Sequence, residues 1–203
     1  KKLSLDHSIS KLGSAFQNIT PIRLFLKNQY RDVLGGLEDF RENLGKVYSN
    51  AEGLNHLEEN IFSPSCNQHA SRPDLVGKIS FASESDVDRI VHKLHDSFLT
   101  KKWSGKENVE RASLILKIGA KLLIRRVEFA SLIVFEAGKT INEALADVDE
   151  AIDFLNFYAR EEMRVNEKNS FSSIGVCVVI SPWNFPLAIS CGMCSAALVA
   201  GNS

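Results

Sequence analysis

The stretch Ile174–Ser203 reads IGVCVVISPWNFPLAISCGMCSAALVAGNS and decides the fold. Its first part, Val176–Ile180, is apolar without polar alternation, which predicts a strand buried on both faces, as in a parallel sheet. The turn Ser181–Pro186 follows, and Leu187–Ala200 then predicts a helix of small and apolar residues that Gly201 ends. Strand, short turn and helix make half of a βαβ unit, so the sequence predicts an α/β fold.

The turn between this strand and helix is the candidate site, because ligands of open α/β sheets bind at the carboxyl ends of strands. Trp183 offers a large flat surface with one hydrogen-bond donor, and Asn184 offers a neutral amide with two donors and an acceptor. Such an amide near a helix N-terminus can stabilise a developing oxyanion. The structural alternative is that Trp183 is buried in the turn and Asn184 caps the helix. The residue types leave both open.

The composition is that of an ordinary globular protein. The 203 residues are 44% hydrophobic and 24% charged, with a formal net charge of -1. This balance argues against nucleic acid and an anionic membrane surface as partners. No apolar stretch approaches the length of a membrane span, and no signal core follows the first residues. Cys66, Cys177, Cys191 and Cys194 lack framework spacing, and the apolar surroundings of three of them predict reduced thiols in a cytoplasmic protein.

Apolar periodicity predicts further helices before the turn. They are a peripheral helix with Leu37, Phe40, Leu44 and Val47 on one face, then Asp86–Leu99, Val109–Glu136 and a helix with Leu145, Val148, Ile152 and Leu155 on one face. In the second of these, the inward positions are Val87, Ile90, Val91, Leu94 and Phe98. In the last, the polar residues Asp147, Glu150 and Asp153 fall on the opposite face.

Three short patterns suggest ligand sites, and each fails on context. The Gly-Lys-Thr that begins at Gly138 lacks the earlier glycine of a phosphate loop and follows a predicted helix, so Gly138 ends that helix and Thr140 begins the next. His92 and His95 lie one turn apart but lack a fourth ligand, which favours a solvated face. The Cys-x-x-Cys that begins at Cys191 has no second pair and lies inside a helix, which favours packing.

The string Ile180–Pro186 resembles the motif after the first cofactor-domain strand in the aldehyde dehydrogenase superfamily. The resemblance implies that Asn184 is the catalytic amide that helps to hold the aldehyde oxygen, and that Phe185 forms a wall of the aldehyde pocket. The residues that it assigns to the NAD cofactor are Ile180, Ser181, Pro182 and Trp183.

The segment Glu136–Arg160 is similar to the L-glutamate γ-semialdehyde (1-pyrroline-5-carboxylate) dehydrogenase branch of that family, and the resemblance covers roughly Phe62–Ser203. It implies helical segments that lead into the first βα unit of a Rossmann-like doubly wound sheet. Phe62 and Val76 would belong to short opening strands. Residues 1–55 would form a helical arm or inter-domain connector, and residues 56–203 an incomplete N-terminal portion of the NAD-binding dehydrogenase domain.

The activity that this resemblance implies is NAD-dependent oxidation of L-glutamate γ-semialdehyde to L-glutamate in proline degradation, by a homo-oligomer that acts on a small aldehyde. The family's nucleophilic cysteine and glutamate base lie further along the chain than Ser203, so we expect residues 1–203 alone to be inactive. One alternative is an aldehyde dehydrogenase with another substrate. The other is a non-catalytic truncated product that binds nucleotide or a partner subunit.

The polar link Arg164–Ser173 is short. In this it resembles the dehydrogenase domain of the bifunctional proline-utilisation enzyme, where a flavin-dependent proline dehydrogenase domain precedes the aldehyde dehydrogenase domain. An FAD cofactor is expected only if such an upstream domain exists.

Overall fold

The structure, a computed structural model, describes residues 14–48, 57–64, 73–166 and 171–203. The elements in this part of the chain are α1 (Lys27–Glu42), β1 (Lys46–Tyr48), β2 (Leu57–Phe62), β3 (Leu75–Phe81), α2 (Glu84–Leu99), α3 (Asn108–Ile124), α4 (Arg126–Ala137), α5 (Ile141–Asn166) and α6 (Ala188–Val199). They form two compact units. The helical unit comprises residues up to Thr20, Val91–Arg126 and Asp147–Ser203, and the sheet unit comprises Pro21–Ile90 and Val127–Ala146.

The sheet unit contains a three-stranded mixed sheet in the order β1-β3-β2. Strand β1 runs parallel to β3, with Lys46 opposite Gly77, and β2 runs antiparallel to it. The two opening strands predicted near Phe62 and Val76 are therefore present. The single helix face predicted from Leu37 to Val47 is wrong, because α1 ends at Glu42 and the chain turns at Gly45, whose φ is +84°. That dihedral angle favours glycine.

The junction between α4 and α5 confirms the rejection of a phosphate loop. Gly138 has a φ of +68° and donates its N–H to the Val134 carbonyl at 3.1 Å, which ends α4. The Thr140 N–H donates to Glu143 Oε2 at 3.0 Å, and the Glu143 N–H donates to Thr140 Oγ1 at 3.4 Å. This reciprocal pair is a capping box, so Thr140 begins α5 as predicted.

The core of the helical unit lies on three helices, α3, α5 and α6. Its buried apolar residues include Ala112, Ile115, Leu116, Leu122, Val148, Ala151, Ile152, Leu155, Ala159, Ala188 and Val199. The predicted inward face of α5 is therefore confirmed. The placing of Asp147 on an opposite, polar face is wrong, because its side chain is buried with only 2% exposed.

Two helix predictions need correction. The helix expected over Val109–Glu136 is two helices, because Arg125 leaves the helical conformation at φ −101° and ψ 18°. In α2, Val87 and Val91 are exposed rather than inward. The buried side chain of that helix is Asp86, which accepts a hydrogen bond from the Ser83 hydroxyl at 2.7 Å. This acid of the first turn therefore lies inward, where the sequence predicted Val87.

The apolar segment Val176–Ile180 is extended, but among the described residues no second strand pairs with it. Its backbone contacts lie at one end, where Cys177 N–H donates to the Ser203 carbonyl at 2.8 Å and Ser203 N–H donates to the Gly175 carbonyl at 3.0 Å. The prediction of burial on both faces is wrong for this chain, since Val178 is 79% exposed. The segment has one covered and one open face.

Candidate active site

The turn that carries the predicted site residues is followed at once by α6, whose first turn is held by a neighbouring helix. Ala188 N–H donates to Asp147 Oδ1 at 2.8 Å. The residue in the N-cap position, Leu187, makes no side-chain capping hydrogen bond. The first N–H groups of a helix have no partner within it, so a buried carboxylate from α5 satisfies one of them here.

The other end of α6 is held by three side chains. Trp103 Nε1–H donates to the Leu198 carbonyl at 2.7 Å, and Arg111 Nε–H donates to the Val199 carbonyl at 2.8 Å. Asn202 Nδ2–H donates to the Ala197 carbonyl at 3.1 Å. These donors satisfy carbonyls that the end of a helix leaves without partners, and a cation there also matches the negative end of the helix dipole.

Arg111 is the centre of a buried polar network at this end. Its side chain is only 6% exposed and donates to Glu162 Oε1 at 2.9 Å and to Asn108 Oδ1 at 2.6 Å. It also donates to the Lys106 carbonyl. One guanidinium therefore joins the start of α3, the C-terminal part of α5 and the end of α6.

Asn202 holds the start of the extended segment to the end of the same helix. Its Oδ1 atom accepts hydrogen bonds from Ile174 N–H at 2.8 Å and Gly175 N–H at 3.2 Å. The predicted stop is confirmed, because Gly201 has a φ of +85° and donates to the Leu198 carbonyl. The start of the extended segment is thus attached to the residue that follows the C-terminal end of α6.

The predicted site residues themselves lie on the surface. Ile180 and Trp183 are each 86% exposed, and Pro182, Asn184 and Phe185 are also exposed. The structural alternative for Trp183 and Asn184 is wrong, because the tryptophan is not buried and Asp147, not the asparagine, caps α6. Within the described residues, no hydrogen bond engages the Asn184 amide, so its two donors face outward.

Ser181 differs from its neighbours because its side chain is engaged. Its hydroxyl lies 2.6 Å from the hydroxyl of Ser190 on the first turn of α6, and either oxygen can donate. The contact joins the segment before the turn to the helix after it. The turn that holds Asn184 is therefore closed at its base while its tip is open.

Three of the four residues assigned to the cofactor, Ile180, Pro182 and Trp183, are exposed and apolar, and none of the four carries a charge. A flat exposed indole beside Pro182 and Ile180 suits the face of a nicotinamide ring. The N-terminus of α6 does not suit the pyrophosphate, because the Asp147 carboxylate already accepts from Ala188 N–H and repels an anion. These residues thus fit the nicotinamide end of NAD.

The cysteines of α6 do not form a reactive pair. Burial, with smaller contributions from Cys194 and Asp147, raises the pKa of the Cys191 thiol to about 11. A neutral thiol is a poor nucleophile, so the packing interpretation of Cys191 stands. Cys194 is exposed, Cys177 is partly buried, and Cys66 lies outside the described residues.

The structure offers no metal centre in the part of the chain that it describes, since no cluster of three metal-binding side chains is found there. His92 and His95 are exposed on α2, as the solvated-face interpretation predicted. Of the helices in the described ranges, none is both long and apolar enough to cross a membrane.

Sequence reasoning missed two of the residues that fix α6, Asp147 and Arg111. Asp147 carried one available signal, since an acid between the core positions Leu145 and Val148 lies close to the core face of its helix. Arg111 carried none, because its acceptors come from segments up to 88 residues away.

Comparison with known proteins supplies the context of this site. The sequence model of the aldehyde dehydrogenase family matches residues 63–203. A 1-pyrroline-5-carboxylate dehydrogenase of Bacillus thuringiensis (strain Al Hakam) is 41% identical over 146 residues, which are 66% of this chain and 28% of that protein. The chain therefore spans little more than a quarter of the length of this relative.

Two solved structures are similar over most of the chain. One is proline utilization A (PutA) from Bdellovibrio bacteriovorus, inactivated by N-propargylglycine, with a TM-score of 0.81 and 29% sequence identity. The matched region is 93% of this chain and 21% of the PutA chain. The other is a 1-pyrroline-5-carboxylate dehydrogenase from Thermus with bound NAD, with a TM-score of 0.77 and 28% sequence identity. The matched region is 94% of this chain and 39% of that chain. The predicted family resemblance and fold class are confirmed.

Proposed function

Because the chain belongs to the aldehyde dehydrogenase family, we propose that the complete protein containing it oxidises L-glutamate γ-semialdehyde to L-glutamate. The aldehyde loses a hydride to NAD and gains an oxygen from water, so the products are the carboxylate and NADH. The similarity to proteins named 1-pyrroline-5-carboxylate dehydrogenase supports this substrate and a role in proline degradation.

The exposed, unengaged amide of Asn184 carries the proposal at the level of the site. An aldehyde oxygen becomes an oxyanion when a nucleophile adds to the carbonyl carbon, and a fixed neutral donor lowers the energy of that state. Asn184 donates from its Nδ2 atom to that oxygen. It serves this role better than a helix-capping asparagine would, because its donors are not used within the described residues.

The residues around Asn184 divide between cofactor and substrate. Ile180, Ser181, Pro182 and Trp183 lie along the nicotinamide end of NAD, which supplies the hydride acceptor when bound. Phe185, on the other side of Asn184, forms a wall of the aldehyde pocket, and its side chain is 40% exposed.

Residues 1–203 supply only part of this chemistry. The described cysteines do not provide the nucleophile, since Cys191 is held as a neutral thiol and the others lack the family's setting. We therefore expect no NAD reduction by the 203-residue chain on its own.

The test is a steady-state assay of the complete protein. We expect NADH to form with L-glutamate γ-semialdehyde and NAD at a kcat/KM at least about tenfold above that for short aliphatic aldehydes, which lack the carboxylate, since hydrogen-bonded recognition of a charged group gives such margins. NADP serves as the cofactor control. Equal or better use of an aliphatic aldehyde would refute the substrate, and no NADH from any aldehyde would refute the activity.

The similarity to PutA favours a second, wider proposal, in which the complete protein also contains a flavin-dependent proline dehydrogenase domain before this one. The short link after α5 supports it, and FAD would then be a second cofactor. The intact mass of the native gene product, with its flavin absorbance, tests this.

We further propose that the complete enzyme is a cytoplasmic homo-oligomer, which sedimentation velocity and cell fractionation test.

A further inference from the structure

The position of Asn184 depends on a short and stiff connection to α6. Three residues separate it from Ala188, and one of them is Pro186, whose ring fixes its own φ. The amide therefore has little freedom that is independent of the first turn of the helix. Whatever fixes Ala188 also fixes the direction in which Asn184 presents its donors.

Asp147 is the side chain that fixes Ala188. Its Oδ1 atom accepts from Ala188 N–H at 2.8 Å, and the residue is only 2% exposed. The next residue along α5, Val148, and Ile152 one turn later are core residues, so the carboxylate projects from a rigid element. A hydrogen bond to a charged acceptor in such a buried setting is both short and directional.

We propose that Asp147 is a positioning residue for the reaction, because it holds the first turn of α6 and through it the Asn184 amide. The inference rests on the proposed function, since it concerns the same oxyanion-stabilising group. Asp147 does not touch substrate or cofactor. Its loss displaces Asn184 from the place where the oxyanion forms, while the surface that binds the ground-state molecules remains.

A second observation agrees with a carboxylate that acts on the first turn. The pKa of the Cys191 thiol, one turn into α6, is raised mainly by burial, then by Cys194, with a smaller contribution from the charge of Asp147. The carboxylate thus lies beside the start of the helix along more than one residue. A negative charge there also offsets the positive end of the helix dipole, so the first turn is held by charge as well as by geometry.

The experiment uses the complete protein and four variants, with kcat, both KM values and the thermal midpoint measured for each. Asp147→Ala removes the acceptor, and we expect kcat to fall about ten- to a hundredfold, with both KM values within about threefold, as for a displaced catalytic group. Asp147→Asn retains an acceptor at Oδ1, and we expect it to keep kcat within about threefold, because asparagine and aspartate cap helices equally well. Where alanine prevents folding, Asp147→Ser, whose hydroxyl is too short to reach Ala188, replaces it.

Two further variants separate the possible outcomes. Asp149→Asn removes another largely buried carboxylate of α5, one that pairs with Arg126 and not with α6, and we expect it to lower the thermal midpoint but not kcat. Asn184→Ala reports on the proposed function itself. An unchanged kcat in Asp147→Ala, or a loss of kcat in Asp149→Asn as large as that in Asp147→Ala, overturns the positioning role. The proposed function still stands in either case if Asn184→Ala is inactive. Parental kcat in Asn184→Ala instead overturns the oxyanion role of Asn184.

Discussion

Helix α6 and the segment in front of it differ in how the protein holds them. The helix is attached at both ends by buried or partly buried side chains, Asp147 at its start and Trp103 and Arg111 at its end. The segment Val178–Phe185 instead exposes large apolar side chains, and no backbone hydrogen bond is found for residues 178–180 within the described ranges. The same thirty residues thus contain a rigid support and an open face.

In the described part of the chain, one motif combines a helix held at both ends with a turn whose amide has no hydrogen bond. A group that must meet a ligand cannot use its donors inside the fold, so its orientation has to come from neighbours that do. Here the neighbours are the two ends of α6. Substitutions in the helix supports should therefore change stability, and at Asp147 also kcat, whereas substitutions at the tip should change activity alone.

The largest effect on stability is expected from Arg111→Met. The change removes a buried cation from the Val199 carbonyl and from Glu162, and loss of one partner of a buried pair costs about 3–5 kcal/mol in the free energy of unfolding. Arg111→Lys is the matched control, since it keeps the charge but loses the fork that reaches several acceptors, and it should fall between parent and Met. Urea unfolding of the complete protein measures both. A loss below about 1 kcal/mol, the value of an exposed pair, would contradict the buried network.

At the open tip, Asn184→Ala should leave stability unchanged and lower kcat about 10²- to 10³-fold, as when one oxyanion donor is lost. Stability is unchanged because the amide makes no hydrogen bond among the described residues. The kcat falls because the amide no longer stabilises the transition state. Asn184→Asp keeps the shape while it adds a negative charge and removes the donors, so it should be at least as inactive. Thermal unfolding and steady-state kinetics together check this. A fall in the thermal midpoint that accompanies the loss of kcat would place Asn184 in the support instead.

A smaller effect on stability is expected where α6 packs on α5. A Cβ atom on Gly192 would lie 2.9 Å from Phe154 Cδ2 and 3.1 Å from Cγ, which a real Cβ atom does not do without displacing the ring. We expect Gly192→Ala to cost about 1–3 kcal/mol, the range for overpacked cores. Gly35→Ala is the control, since its Cβ atom would meet nothing within 4 Å in the middle of α1 and should stabilise by about 0.5–1 kcal/mol. Urea unfolding of each variant measures the difference.

The sequence predicted what depends on neighbours along the chain. The helix that follows the turn, its stop at Gly201 and the Thr140 start of α5 all follow from local patterns, and the structure confirms them. Burial of Val178 and the capping of α6 could not be predicted in the same way. Both depend on partners that are distant in sequence, such as Asp147 and Ala188, which are 41 positions apart. The site residues could be predicted only because the segment that contains them resembles a family motif.

The smallest effect, and the one that tests the supported helix at single-residue level, concerns the thiols of α6. Since burial raises the pKa of Cys191 from 9.0 to about 11, its thiolate is scarce at neutral pH. Iodoacetamide followed by mass spectrometry should therefore modify exposed Cys194 first, and modification of Cys191 should rise about tenfold per pH unit up to pH 11, as thiolate reactivity requires. Cys194→Ser should abolish the fast reaction, and Cys191→Ser should preserve it. The folded pKa lies above the unfolded one, so this thiol also contributes stability below pH 9 that is lost between pH 9 and about 11. Equal alkylation rates at pH 8 would mean that the first turns of α6 open as readily as the segment before them, and the contrast between the two regions would fail.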